Sequence, residues 1–496
     1  MQIMHCIIGI DIGTGSTKAV AVNDNGEAFC VAQKNYATMH KQEGYNEQDP
    51  EIIWQAVADC IKEILPKLNT HPTAIAFSSA MHSLMAVDDK GVPLTSLIIW
   101  SDARSAPIAE SLKNSAEGEN FYTSTGTPVH AMSPLCKIKW LKENNPDVFR
   151  KTAKFISIKE YVWWKLFGVY EIDYSIASAT GLFAIEYHGW YEKALSWAGI
   201  TASKLSHPVN TTHARKLTVP HILTLLNLTT DTTFMIGASD GCLANLGSFA
   251  TQPGIAAITI GSSGAVRVFS KVPILHFPSM PFSYRLDGDN YICGGPINNG
   301  GIVMQWLLKN FMHIDSPEAA DYESLFEKIE AIRPGCDGLL FLPYLTGERA
   351  PVWDAKSCGI YFGVRSHHST VHMMRAAIEG VCLAIYDTLQ MIEDGTKPIQ
   401  QIHVSGGFTQ SPLWLQIIAD VIGKKLNLVQ TEDASAIGAA YLALQTLGIK
   451  YKTLPQAITI TPNINLHRIY QQNFSIYKIL YPSLKEAMHK NYQLHH

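Results

Sequence analysis

Apolar and polar positions along the chain follow two periods. Short apolar runs, "TAIAF" (73–77), "SLIIW" (96–100), "FMIGA" (234–238), "IAAITI" (255–260), "LLFLP" (339–343) and "IHVSGG" (402–407), read as buried strands. Between them lie longer stretches with helical spacing. After Asp49, a favourable N-cap with Pro50 in the first turn, apolar residues recur at Ile53, Val57, Cys60, Ile61, Ile64 and Leu68. After Ser369 or Thr370 the same spacing runs through Val371, Met374, Ile378, Val381, Ile385, Leu389 and Ile392. Both patterns predict helices packed on a core, and Trp163 and Trp164 in "EYVWWKL" read as helix packing. Strands alternating with such helices imply an α/β architecture.

The pattern is interrupted at "GIDIGTGSTKAVAV" (9–22), where Asp11, glycines, hydroxyls and Lys18 break an apolar, β-branched run. The stretch contains neither G-x-x-x-x-G-K-[ST] nor G-x-G-x-x-G, because Lys18 stands where the latter needs its third glycine. What remains is a β-hairpin whose tip offers bare N–H groups and hydroxyls, a concavity suited to phosphate oxygens, with Lys18 as a point charge. Asp11 at its base is placed to hold magnesium, through water. An ordinary hairpin with a glycine turn and a solvated lysine is the alternative. "ITIGSSGAVRVF" (258–269) echoes this stretch about half a chain later, with Thr259 over Asp11 and Gly261 over Gly13. The echo predicts two domains on one plan, whose paired turns face each other across a cleft and grip one polyphosphate.

Length agrees, since 496 residues exceed what a single core usually holds and two domains of about 250 residues are expected, here 1–243 and 244–496. With 39 basic against 43 acidic residues and a net charge of −4, the chain has no electrostatic footprint for nucleic acid or an anionic membrane. A small-molecule partner is expected instead. The nine cysteines stand singly, without C-x-x-C, and no apolar run spans a bilayer, which together predict a reduced, cytoplasmic protein.

"MSPLCKIKWLKEN" (132–144) and "GIYFGVRSHHSTVHMMRAAIE" (359–379) match the two signatures of the FGGY carbohydrate kinase family, which the chain resembles over its whole length. "SSAMHS" (78–83), "IDYSIASATG" (172–181), "GASDG" (237–241), "GGPINNGGIV" (294–303) and "YLTGERAP" (344–351) are similar to the gluconate kinase branch. The resemblance implies two ribonuclease H-like domains of the actin, hexokinase and Hsp70 ATPase superfamily, with an interdomain active-site cleft. It implies ATP-dependent phosphorylation of a sugar or sugar acid hydroxyl, D-gluconate to 6-phosphogluconate, with D-xylulose as the alternative acceptor. It also favours magnesium and, as in many members, a homodimer. An actin- or Hsp70-like ATPase without a sugar substrate is the rival from another class.

Phosphoryl transfer needs the polyphosphate held, the hydroxyl placed in line and its proton accepted. Asp240 follows an apolar strand at its carboxyl end, where open α/β sheets keep their ligands, and the resemblance implies that it is the catalytic base. Capping of the next helix is its alternative role. Thr14, Thr17 and Lys18 meet the terminal phosphates from the first domain, Gly261 and Ser262 from the second. Gly301 and Gln305 resemble the family's stretch near ribose and phosphate, or else pack a helix start. Gly406, Gly407 and Ser411, between a strand and a helix, let backbone approach adenine and the α-phosphate. For the sugar, His82, Trp100, Asp102 and Arg104 follow two strands and open on one site, with Arg104 an apt partner for a carboxylate; Asp102 and Arg104 equally make a plain surface ion pair. Asp173 and Tyr174 look like further substrate contacts.

Overall fold

A computed structural model of the chain describes residues 5–396, 398–429, 433–451 and 458–495. Its contacts divide it into two compact units, each assembled from separated stretches. The first comprises Met1–Thr251, Ser270–Cys293 and Asp433–Leu454, and the second Gln252–Phe269, Gly294–Glu432 and Pro455–His496. A single cut after residue 243 therefore does not describe the packing. Late segments join the first unit through tertiary contacts that no local pattern announces.

The first unit is built on a six-stranded sheet ordered Ala214–Lys216, Thr233–Ser239, Ala74–Ser79, Cys6–Ile12, Ser16–Asn23, Ala28–Asn35. Cys6–Ile12 and Ser16–Asn23 form the antiparallel hairpin expected from the interrupted run. Cys6–Ile12 then lies parallel to Ala74–Ser79, which lies parallel to Thr233–Ser239. The registers place Asp11 beside Ser78 and Ser79 beside Ser239, so three carboxyl ends finish at one edge. The helix Pro50–Ile64, capped by Asp49, covers the hairpin with Ile53, Val57, Cys60, Ile61 and Ile64 buried. The helix Ala434–Thr446 also packs on the first strand, so closely that a Cβ at Gly9 would sit 1.8 Å from the Ala436 carbonyl oxygen. Only glycine permits that approach.

The second unit repeats the plan. Ile255–Ile260 and Gly264–Ser270 form an antiparallel hairpin, and Ile255–Ile260 lies parallel to Gln401–Ser405. That strand is followed in the sheet by Leu426–Leu428 and then by antiparallel Ile458–Ile460. Thr259 faces Ser405 as Asp11 faces Ser78. The helix Thr370–Glu393, with Ser369 as N-cap, buries Met374, Ile378, Val381, Ile385, Leu389 and Ile392.

Two expected strands are shorter than their apolar runs. In "SLIIW" only Leu97–Ile98 is extended, because its partner is the two-residue strand Glu47–Gln48 and not the main sheet. In "LLFLP" the strand is Leu340–Leu342, paired with Ile360–Phe362. Among the described residues no helix is long and apolar enough to cross a membrane.

Candidate active site

The carboxyl edge of the first sheet gathers the charged groups. Ser78 donates its hydroxyl hydrogen to Asp11 Oδ1 at 2.7 Å. Burial, reinforced by the nearby charge of Asp240, raises the Asp11 carboxyl to a pKa of about 7. Asp240 is the first residue of the helix Asp240–Gly247, but the N-cap is Ser239, whose hydroxyl accepts from the Cys242 N–H at 3.4 Å. Asp240 is thus not the cap of this helix. One oxygen accepts from the Gly241 N–H at 2.7 Å.

The hairpin tip is divided in its allegiance. Gly15 faces open space, and Lys18 forms an ion pair with Asp433, the left-handed residue that precedes the helix Ala434–Thr446. Thr14 accepts a 2.9 Å hydrogen bond from the Trp100 indole, which joins the hairpin tip to the loop after Leu97–Ile98. Thr17 is fully buried, 3.4 Å from the Tyr36 hydroxyl, and so stands behind the tip.

His82 adopts a left-handed conformation in the loop after Ala74–Ser79. Its Nδ1 lies 2.8 Å from the Ala179 carbonyl oxygen and its Nε2 3.3 Å from the Tyr284 hydroxyl. The loop carrying Trp100 joins it through a bridge between Leu84 and Ile98. Arg104 holds Asp102 with two hydrogen bonds of 2.9 and 2.8 Å and Glu47 with one of 2.7 Å, while its guanidinium lies 3.9 Å over the Tyr45 ring. All three charged side chains are at least nine-tenths buried. Asp102 and Arg104 do form an ion pair, but in a buried network with Glu47 and not at the surface as the alternative had it, because Tyr45 and the neighbouring loop cover them.

Asp173 is also engaged internally. It caps the helix Tyr174–Ser178 by accepting from the Ser175 and Ile176 N–H groups, and it receives Lys159 at 2.8 Å. Lys159 also donates to the Ala238 carbonyl at 2.8 Å, and Ser175 donates to Ser239 Oγ at 2.7 Å. Asp173 therefore sits under the strand end that presents Asp240. Tyr174 is half-buried against Phe183 and His188.

The second unit holds a pocket of about 1050 Å³ lined by the hairpin tip, the starts of two helices and the turn after Gln401–Ser405. Gly261, Ser262, Gly301, Gln305, Gly407 and Ser411 all border it. A side chain at Gly261 or Gly407 would meet nothing within 4 Å, so backbone is exposed there to a ligand. Gly301 packs tightly at its helix start. It lines the pocket, and its N–H donates to the Gly261 carbonyl at 2.7 Å, where a Cβ would come within 2.7 Å of the same oxygen. Ser411 Oγ caps the helix Pro412–Ile422. Gly406, at φ 103° under the Ile260 carbonyl, shapes the turn from behind.

Residues 6–247 match the N-terminal domain, and residues 256–447 the C-terminal domain, of the FGGY family of carbohydrate kinases. The chain belongs to this family. Gluconokinases from Bacillus licheniformis and Bacillus subtilis (strain 168) are 38% and 40% identical to it, over 98% and 89% of this chain and 96% and 88% of theirs. Among solved structures, the gluconate kinase from Lactobacillus acidophilus has a TM-score of 0.92 at 31% identity, covering 97% of this chain and 98% of that one. The ligand-bound xylulose kinase from the same species has a TM-score of 0.93 at 31% identity, covering 98% and 99%. This FGGY kinase is a phosphotransferase with an alcohol group as acceptor, on the two-domain fold of the family.

Several contacts of the candidate site in this FGGY kinase were not legible in the sequence. Asp433 precedes a helical run and reads as an ordinary loop acid, and Tyr284 lies in a strand far along the chain from His82. Ser78 stands inside "SSAMHS", four residues from His82, where its register with Asp11 is invisible without the sheet.

Proposed function

We propose that this enzyme transfers the terminal phosphoryl group of ATP to a hydroxyl of D-gluconate, giving 6-phosphogluconate. Sequence identity carries the choice of acceptor: the relatives near 40% identity are gluconokinases. The solved gluconate and xylulose kinases resemble the chain equally and do not separate the two sugars.

In this reading Asp240 is the base. As the acceptor oxygen bonds to the γ-phosphorus and the bond to the β-bridging oxygen breaks, the hydroxyl proton passes to the Asp240 carboxylate. Thr14 and Lys18 meet the terminal phosphates, and the pocket bordered by Gly261, Gln305 and Gly407 takes the adenosine end. His82 and Trp100 contact the sugar. The gluconate carboxylate is not assigned to Arg104, whose guanidinium is held by Asp102 and Glu47.

Magnesium fits the donors present. Among the described residues no group of three or more His, Cys, Asp or Glu side chains is placed to hold a metal, and magnesium takes few protein carboxylates beside phosphate oxygens and water. Asp11, a half-buried carboxyl raised by desolvation and then by Asp240, is the group a divalent cation relieves. The ion supplies charge neutralisation at the phosphates when bound.

The test is ADP release on addition of gluconate, xylulose, glycerol, ribulose and fuculose. Gluconate should give a kcat/KM at least about 100-fold above the others, as expected when unmatched hydroxyls leave buried groups unpaired. Preference for xylulose would reassign the acceptor, and ADP release indifferent to every polyol would point to an ATPase of another class.

A further inference from the structure

Lys137 lies in the helix Pro134–Asn144 and has no part in the chemistry above. Its position, three residues after Pro134 and four before Leu141, puts it on the apolar face, where it is wholly buried. No carboxylate salt-bridges it among the described residues. Its ammonium instead donates to three backbone carbonyls, those of His82 at 2.6 Å, Ile99 at 2.8 Å and Ile98 at 3.4 Å. Those contacts match the three donors that an ammonium has.

Such a placement is unfavourable in itself, because a buried ammonium forfeits its hydration. Burial pushes the lysine down to a pKa of about 7, against the opposing pull of Asp102. A leucine or methionine would occupy the helix face without that penalty. What an apolar residue cannot do is bind carbonyls from two different loops. One belongs to His82, whose backbone is left-handed at φ 65°, and the others immediately precede Trp100.

We propose that Lys137 is a positioning residue for the acceptor: by tying the His82 carbonyl to those of Ile98 and Ile99, it fixes the loops that carry His82 and Trp100 without touching the sugar. The inference rests on the reading of His82 and Trp100 as sugar contacts. It predicts an effect concentrated on the acceptor, since Lys137 acts through those loops and reaches the hairpin tip only by way of the Trp100–Thr14 hydrogen bond.

The test is a double-mutant cycle with Lys137→Met and His82→Asn, the latter chosen because asparagine tolerates the left-handed backbone. Lys137→Met should raise the gluconate KM about 10- to 100-fold, as sub-ångström misplacement of binding groups does, and leave the ATP KM within about twofold. The double variant should be little worse than His82→Asn alone. Lys137→Gln, which retains an amide donor for the carbonyls, should recover part of the affinity and carries the measurement where Lys137→Met does not fold. An unchanged gluconate KM, an equal rise in both KM values, additive effects, or failure of both variants to fold would overturn the proposal. Wild-type turnover is measured first. Its absence with gluconate rejects the acceptor assignment alone, and the cycle then runs on whichever polyol the wild type phosphorylates.

Discussion

Ser78 and Asp11 are joined by a 2.7 Å hydrogen bond between neighbouring parallel strands, and the second unit sets Thr259 and Ser405 in the corresponding register with hydroxyls 3.2 Å apart. The repeat is thus preserved in backbone while its chemistry diverges. One copy carries a carboxylate where the other carries a hydroxyl. A neutral hairpin beside a pocket suits the approach of a polyanion, whereas a half-buried acid suits a cation.

Asp240→Asn should bind ATP and gluconate with affinities close to wild type and lower kcat by roughly 10²- to 10⁴-fold, the usual contribution of a positioned base. The Ser239 cap is independent of the substituted carboxylate, so the fold should persist. Titration calorimetry with each ligand and steady-state rates decide it. Near-normal turnover would remove Asp240 from the base role.

Asp11 makes stability depend on pH. Its carboxyl is raised in the folded protein from 3.8 to about 7, so the folded state holds a proton that the unfolded chain releases. Stability therefore falls as pH rises from about 4 through about 7, by an amount on the order of 4 kcal/mol at most. Asp11→Asn should melt higher than wild type at pH 8 without ligands, and the difference should shrink as pH falls toward 4. The same variant should lose most of its activity. A melting difference that ignores pH would contradict the assigned shift.

How far the sequence reaches depends on the range of the interaction. The helix Pro50–Ile64 was legible because Asp49, Pro50 and the apolar spacing are local, and both hairpins because glycine and hydroxyl residues punctuate β-branched runs. The charged pairs were not. Lys18 reads as a phosphate ligand, but its neighbour Asp433 lies more than 400 residues away in sequence. Asp173, within a segment resembling a sugar-binding stretch, turns inward because Lys159 lies beneath it, which only the packing of the helix Ile158–Phe167 on the strand Glu171–Asp173 reveals.

The Lys18–Asp433 pair should compete with nucleotide. Asp433→Asn keeps a residue that tolerates φ 59° yet frees the ammonium, so ATP should bind about two- to fivefold more tightly, the modest effect expected of a partly exposed pair. Lys18→Ala should weaken ATP more than gluconate. Calorimetric titrations showing weaker ATP binding in Asp433→Asn, or a larger loss for gluconate in Lys18→Ala, would reject the competition.

Asp173 separates a sugar contact from a structural anchor. Burial pushes the Lys159 ammonium toward its neutral form, and Asp173 is the charge that opposes this. Asp173→Ala removes the helix cap and strands that ammonium, which should destabilise the protein by about 3–5 kcal/mol in urea unfolding. Asp173→Asn keeps an acceptor for the Ser175 and Ile176 N–H groups and should lose less. Because Lys159 also holds the Ala238 carbonyl, two residues before Asp240, the asparagine variant should lower kcat while leaving the gluconate KM within about threefold. A direct sugar contact would give the opposite split, with normal stability and a gluconate KM raised at unchanged kcat.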